Sequence, residues 1–189
     1  KPENVPHYKG GDMKKLIIIL FATLLLLGCG EGLSKSEIFH SAKDMVNEAK
    51  KDIEEISYND FKANLEKEEI RVVIDVREPA EFEAGYIGMP DEDDEYPYPE
   101  TFTVNIPRGL IEFKIGDADY WDDELWVEAP SKDELIVVYC KKGGRAALVA
   151  QTLKTMGYKN VKSLKGGYRI WLDPTAPLEE APKSSGGCG

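Results

Sequence analysis

Residues Leu135–Gly157 read LIVVYCKKGGRAALVAQTLKTMG. Leu135, Ile136, Val137, Val138 and Tyr139 form a short apolar, mostly β-branched run, the pattern of a buried strand. Ala146, Leu148, Val149, Leu153 and Met156 recur at helical spacing, and Gly157 stops the helix. Between strand and helix lies Cys140-Lys141-Lys142-Gly143-Gly144-Arg145. A thiol leaves the carboxyl end of a strand, two glycines let the chain curl, and a helix begins. In such a turn backbone N–H groups converge as a nest, and the helix N-terminus adds partial positive charge. With Lys141, Lys142 and Arg145 close by, this setting favours the thiolate of Cys140 and holds an anion against its sulfur. A buried structural cysteine is the competing reading, since free cysteines are often buried. The two glycines and three cations favour an active nucleophile.

Three further stretches follow the same logic of strands, turns and helices: VVIDVREPAEFEAGYI (Val72–Ile87), VNIPRGLIEF (Val104–Phe113) and GYKNVKSLKGGYRIW (Gly157–Trp171). With the C-x-x-G-x-R form of Cys140, Gly143 and Arg145, the region from Glu54 to Leu172 resembles a rhodanese-homology domain. That resemblance implies an α/β fold: a central, mainly parallel five-stranded sheet in the order 1-5-4-2-3, flanked by helices. It implies sulfane-sulfur transfer through a persulfide on Cys140, without a cofactor or metal. It places Asp75 beside the catalytic loop as a hydrogen-bond support and Arg77 in an ion pair. The other reading of Asp75 is a cap for the helix that begins at Pro79.

Lys141, Lys142, Gly143, Gly144 and Arg145 are the expected substrate-binding residues, their N–H groups and cations receiving an anionic sulfur donor such as thiosulfate. The acceptor is then cyanide or a thiol, in a ping-pong cycle. Four residues separate Cys140 from Arg145, against the five of tyrosine-phosphatase loops, which cradle a tetrahedral oxyanion. This count sets a phosphatase or arsenate reductase below sulfur transfer. A persulfide carrier or sensor, or a partner-binding module with little turnover, stands as the non-enzymatic alternative.

Two departures from the family pattern are visible. Gly85-Tyr86-Ile87-Gly88-Met89-Pro90 carries Tyr86 where relatives commonly have histidine, and the acidic insert Asp91–Thr101 precedes Val104. Its acids and prolines read as a solvated loop; the spacing of an EF-hand calcium loop is missing. Ser57 and Asp60 are expected to cap a helix over Tyr58–Glu66, Arg71–Val76 to form a central strand, and Arg108–Ile115 a short helix. The long connection Gly116–Ser131 reads either as a rim beside the site or as cover for the core. Trp126 is assigned to the core and Trp121 is left open.

Before this region, Met13 begins MKKLIIILFATLLLLGC, with a basic start at Lys14-Lys15 and an apolar run Leu16–Leu27 of signal-peptide length. Leu26-Leu27-Gly28-Cys29 resembles a bacterial lipobox, which makes Cys29 the lipidation site and the cell envelope the expected location. The run is short for a membrane-spanning helix of about 20 residues. The expected organisation is an upstream extension (1–12), a signal peptide (13–28), a lipidated start with a spacer helix (29–53), one domain (54–173) and a tail (174–189). The spacer helix has a capping box at Ser34 and Glu37 and an apolar face through Ile38, Ala42, Met45, Val46, Ala49, Ile53 and Ile56. Cys188 in the Ser/Gly tail is a thiol with no paired framework around it. The net charge of −11 repels phosphate backbones and argues against nucleic-acid binding.

Overall fold

Five strands, all parallel, form the sheet of this computed structural model, which describes residues 39, 41–89 and 102–178. They are β1 (Glu54–Ile56), β2 (Val72–Asp75), β3 (Thr103–Asn105), β4 (Ile136–Tyr139) and β5 (Val161–Leu164). Their spatial order is β1-β5-β4-β2-β3, the order that the family resemblance implies. Every residue of β2 and β4 is buried, Asp75 included, as near-continuous apolar runs require when helices cover both faces. Register pairs Val72 with Ile136 and Asp75 with Tyr139, so the two strands end side by side and Cys140 emerges one residue beyond.

Alternation along the strands divides the core into two layers. Val72, Ile74, Ile136 and Val138 face Ala146, Val149, Ala150 and Leu153 of α5 (Gly144–Thr155). Val73, Val137, Tyr139 and Leu164 face the other way, onto Phe61 and Ile87. Each such aliphatic side chain, fully buried, stabilises the fold by about 1.5–3 kcal/mol. Phe61 comes from α2 (Tyr58–Glu66), which Ser57 caps: its Oγ accepts the Asp60 N–H at 3.2 Å.

On the other side, α1 (Ala42–Asp52) packs against α5. Val46 sits so near Gly144 that a Cβ there would lie 3.6 Å from Val46 Cγ2. Ser41 caps this helix, accepting the Asp44 N–H at 3.2 Å. The capping box expected at Ser34 and Glu37 lies outside the described residues, as do Cys29, Cys188 and the acidic insert Asp91–Thr101. Two short helices, α3 (Pro79–Glu83) and α4 (Ile111–Lys114), the latter after a 3-10 turn at Arg108–Leu110, precede α5; α6 (Tyr168–Leu172) follows β5.

One aromatic assignment is corrected. Trp126 is 86% exposed, whereas Trp121 is fully buried, its Nε1–H donating to the Lys114 carbonyl at 2.9 Å. Trp126 has left-handed backbone, φ 60°, and the next N–H, that of Val127, turns back onto the Trp121 carbonyl at 3.1 Å. That turn aims Trp126 at solvent, while Tyr120, edge-on to Trp121 with centroids 5.8 Å apart, helps close the core beneath it.

Candidate active site

The Cys140–Arg145 loop is shaped from both ends. At its start, the Val76 N–H donates to the Tyr139 carbonyl at 2.9 Å, extending the β2–β4 ladder to the residue before Cys140. At its end, Gly143 adopts φ 97°, a conformation open to glycine and strained for side-chain-bearing residues. This turns its N–H back onto Cys140 Sγ at 3.2 Å, and α5 then begins with the Ala147 N–H bonded to the Gly143 carbonyl at 2.9 Å. A loop with four residues between Cys140 and Arg145 therefore closes on the sulfur atom itself.

The turn after β5 braces this loop from behind. A Cβ on Gly167 would meet the Cys140 carbonyl oxygen at 2.1 Å and the Gly143 nitrogen at 3.0 Å. Only glycine admits that approach. The first N–H groups of α6 then engage the loop carbonyls: Tyr168 donates to Cys140 at 2.8 Å and Arg169 to Lys141 at 3.2 Å. With those carbonyls engaged, the peptide N–H that reaches the sulfur is that of Gly143.

Asp75 and Arg77 form the ion pair beneath this platform. Arg77 Nε and Nη2 donate to Asp75 at 2.9 and 2.6 Å, with Asp75 fully buried and Arg77 4% exposed. Arg77 also donates to the Gly85 carbonyl at 2.7 Å and lies 4.2 Å from the Tyr168 ring centroid. Burial, and then the nearby Asp75, push the Tyr139 hydroxyl far above the ordinary tyrosine range, so it stays protonated; its oxygen accepts the Ile87 N–H at 3.2 Å. Arg77 also lies 5.5 Å from the ring centroid of Tyr139, the residue before Cys140. Asp75 does not cap α3: the residue in that position is Glu78.

Arg145 has a partner that its place in the loop does not announce. Its Nη1 and Nη2 donate to the two carboxylate oxygens of Glu81 at 2.7 and 3.0 Å, joining α5 to α3. Glu81 also accepts the Glu78 N–H at 3.2 Å. The Arg145 hydrogen bond holds the Glu81 carboxyl well below its usual range, at about 2. Much of the Arg145 charge is thus already matched, although its guanidinium still interacts with Cys140. Arg145 thus clamps α5 to α3 beside the sulfur.

Above the loop opens a cleft of about 990 Å³, lined by Cys140, Lys141, Lys142, Gly144 and Arg145. Cys140 is 2% exposed, a sulfur at the floor rather than on a surface. The opposite wall is α1, with Ala42, Lys43, Val46, Asn47 and Lys50, and Leu178 closes one end. No residue of 116–131 lines it, so the rim reading of that connection fails here. Among the described residues, no cluster of three or more His, Cys, Asp or Glu side chains is placed to hold a metal ion. Sequence reasoning brought Cys140, its loop, Asp75 and Arg77 to one place but missed Glu81, Gly167, Tyr168 and α1. Glu81 had one visible signal, its spacing of three from Glu78; its contact with Arg145, 64 residues on, had none.

Comparison with known proteins agrees with this geometry. A family profile described as the rhodanese-like domain matches residues 101–174. A mitochondrial protein of Schizosaccharomyces pombe, provisionally named thiosulfate sulfurtransferase, is 32% identical over 129 residues, 64% of this chain and 81% of that one. A Rhodopseudomonas palustris protein of unknown function, described as a possible tyrosine phosphatase, superposes with a TM-score of 0.53 at 30% identity, covering 78% of this chain and all of the other. The human single-domain sulfurtransferase TSTD1 shares the fold, with a TM-score of 0.53 at 22% identity over 65% of this chain and 97% of its own. A parallel sheet in this order, with a cysteine loop at the carboxyl end of its central strand, defines the class. The chain belongs to the rhodanese-like family.

Proposed function

We propose that this protein is a sulfurtransferase that carries sulfane sulfur on Cys140. The observation that carries the reading is the Gly143 N–H at 3.2 Å from Cys140 Sγ, at the floor of a cation-lined cleft. The Cys140 thiolate attacks the outer sulfur of an anionic donor such as thiosulfate. The donor's S–S bond breaks, sulfite leaves with the electron pair, and Cys140 becomes a persulfide. A second nucleophile, cyanide or a thiolate, then takes the outer sulfur and returns the pair to Cys140. Lys141 and Lys142, both exposed at the mouth, attract the donor, and the loop N–H groups stabilise the anionic persulfide.

The tight four-residue spacing supports a single sulfur over a phosphoryl group, which needs the wider loop of the phosphatases. Near-complete burial of Cys140 favours a second mode on the same chemistry, a sheltered persulfide that waits for its own acceptor. The lipobox-like Leu26–Cys29 supports attachment to an envelope membrane through lipid on Cys29. Thiocyanate formation from thiosulfate and cyanide tests the function, with Cys140→Ser as control. Turnover lost in the variant is the expected result. A protein that hydrolyses aryl phosphates but takes up no sulfur contradicts it.

A further inference from the structure

Because all the strands are parallel, the turns that follow them gather at one end of the sheet and the segments that lead into them at the other. The charges sort by end. Leading into β4 come Asp117, Asp119, Asp122, Asp123, Glu124 and Glu128, and leading into β2 come Glu66, Glu68 and Glu69. Arg71, at the entry to β2, ties these two segments together by donating to the Glu128 carbonyl at 2.6 Å. Following the strands are Arg108 after β3, Lys141 and Lys142 after β4, and Lys165 after β5, all exposed. Three acids at this second end are already occupied. Glu81 holds Arg145, Asp44 accepts from the Ser41 hydroxyl, and Glu78 caps α3. A chain of net charge −11 therefore presents one cationic face, the face that opens over Cys140.

Large apolar side chains stand exposed among these cations: Phe39, just ahead of the Ser41 cap, Leu110, beside Arg108, and Leu178, at the rim of the cleft. The segment bearing Leu178 is held there by Arg169, which donates to the Pro177 carbonyl. The course of α1 adds a direction. Its last turn leads through Ile53 into β1, so its first turn rises to the cationic face, where Ala42 and Lys43 line the cleft. The chain ahead of Phe39 thus joins the domain at this face. Cys29 lies ten residues before Phe39, a span of at most about 36 Å when fully extended.

We infer that the cationic face around Cys140 docks on an anionic lipid surface, with Arg108, Lys141, Lys142 and Lys165 against the headgroups and Phe39, Leu110 and Leu178 entering the interface. Basic side chains near such a surface gain from its negative potential, and apolar side chains among them gain from the boundary between headgroups and acyl chains. The inference goes beyond the sulfur-transfer reading and takes its tether from the Cys29 anchor. That tether favours a bilayer over an acidic protein, because it keeps this face, not the acidic end, beside lipid. Docking covers the mouth of the cleft and shields Cys140 from the bulk solvent.

Vesicles mixed with the full chain test this. The rate at which uncharged iodoacetamide modifies Cys140, read from the mass of its peptide, measures docking. Vesicles of phosphatidylglycerol and phosphatidylcholine in equal amounts are compared with phosphatidylcholine alone. The anionic vesicles are expected to slow modification about fivefold at about 20 mM salt, and the effect to vanish near about 0.5 M. Arg108→Glu/Lys165→Glu is expected to need about tenfold more anionic lipid for the same protection, and Leu110→Ser about threefold more. Equal rates on both vesicles, or a preference unchanged in the double charge variant, overturns docking. Protection by soluble polyglutamate equal to that by the anionic vesicles overturns it too, and assigns the face to an acidic protein. Flotation with phosphatidylcholine alone reports separately on the anchor, since that lipid carries no net charge for the cations to meet.

Discussion

At Gly167 the absent side chain is what lets two turns meet, and Gly167→Ala forces a methyl group into the Cys140 carbonyl, 2.1 Å from where it would sit. Displacement of the loop by even a fraction of that clash moves the sulfur off line, so sulfur-transfer kcat is expected to fall about a hundredfold, read by steady-state assay. Arg77 gives a contrasting prediction, on stability. Arg77→Met leaves the fully buried Asp75 without its partner and is expected to cost about 3–5 kcal/mol in denaturant unfolding. Asp75→Leu together with Arg77→Met is expected to cost less than Arg77→Met alone, because no buried charge is stranded. Residues of this kind differ in how far sequence exposes them. Cys140 and Gly143 are legible because thiol, glycines and cations stand together in the chain. Gly167 reads only as a turn, since what it touches is 24 to 27 residues earlier and set by the sheet order.

The elements that carry the site are joined by the Glu81–Arg145 pair between α3 and α5. Glu81 has its folded-state pKa lowered from 4.5 to about 2. Its stabilising contribution is therefore complete above about pH 4.5 and is lost as pH falls through about 2. Glu81→Gln is expected to lower stability by about 1 kcal/mol at neutral pH, a figure reduced for its partial exposure. The gap from the native protein should close between pH 4.5 and 2, followed by urea titrations at several pH values. A gap independent of pH over that window contradicts the pairing. Strands β2 and β4 are legible because parallel, doubly covered strands are short, mostly apolar runs between turn residues. The part α1 plays is not: its apolar face shows that it packs somewhere, while its position over Cys140 depends on α5, almost a hundred residues later. Trp126 was misassigned for a related reason. Size and apolarity place tryptophan in cores on average, but here the neighbouring Trp121 takes the space and a left-handed turn sends Trp126 outward.

Across the whole molecule, the charge is −11, and cations are nevertheless gathered around one cleft. Such a field repels anions in general while leaving a local attractive entrance at the sulfur. Transfer rates with thiosulfate are accordingly expected to fall as ionic strength rises, and more steeply in native protein than in Lys141→Gln/Lys142→Gln. If Cys29 carries a lipid, Cys29→Ser moves the protein from the membrane to the soluble fraction on cell fractionation, and an unchanged distribution contradicts the anchor. The central claim is tested most directly by the mass of the reduced full chain after incubation with thiosulfate alone. The account predicts a gain of one sulfur atom on Cys140, absent in Cys140→Ser and removed by cyanide. An unchanged mass with thiosulfate and with other sulfane donors contradicts it.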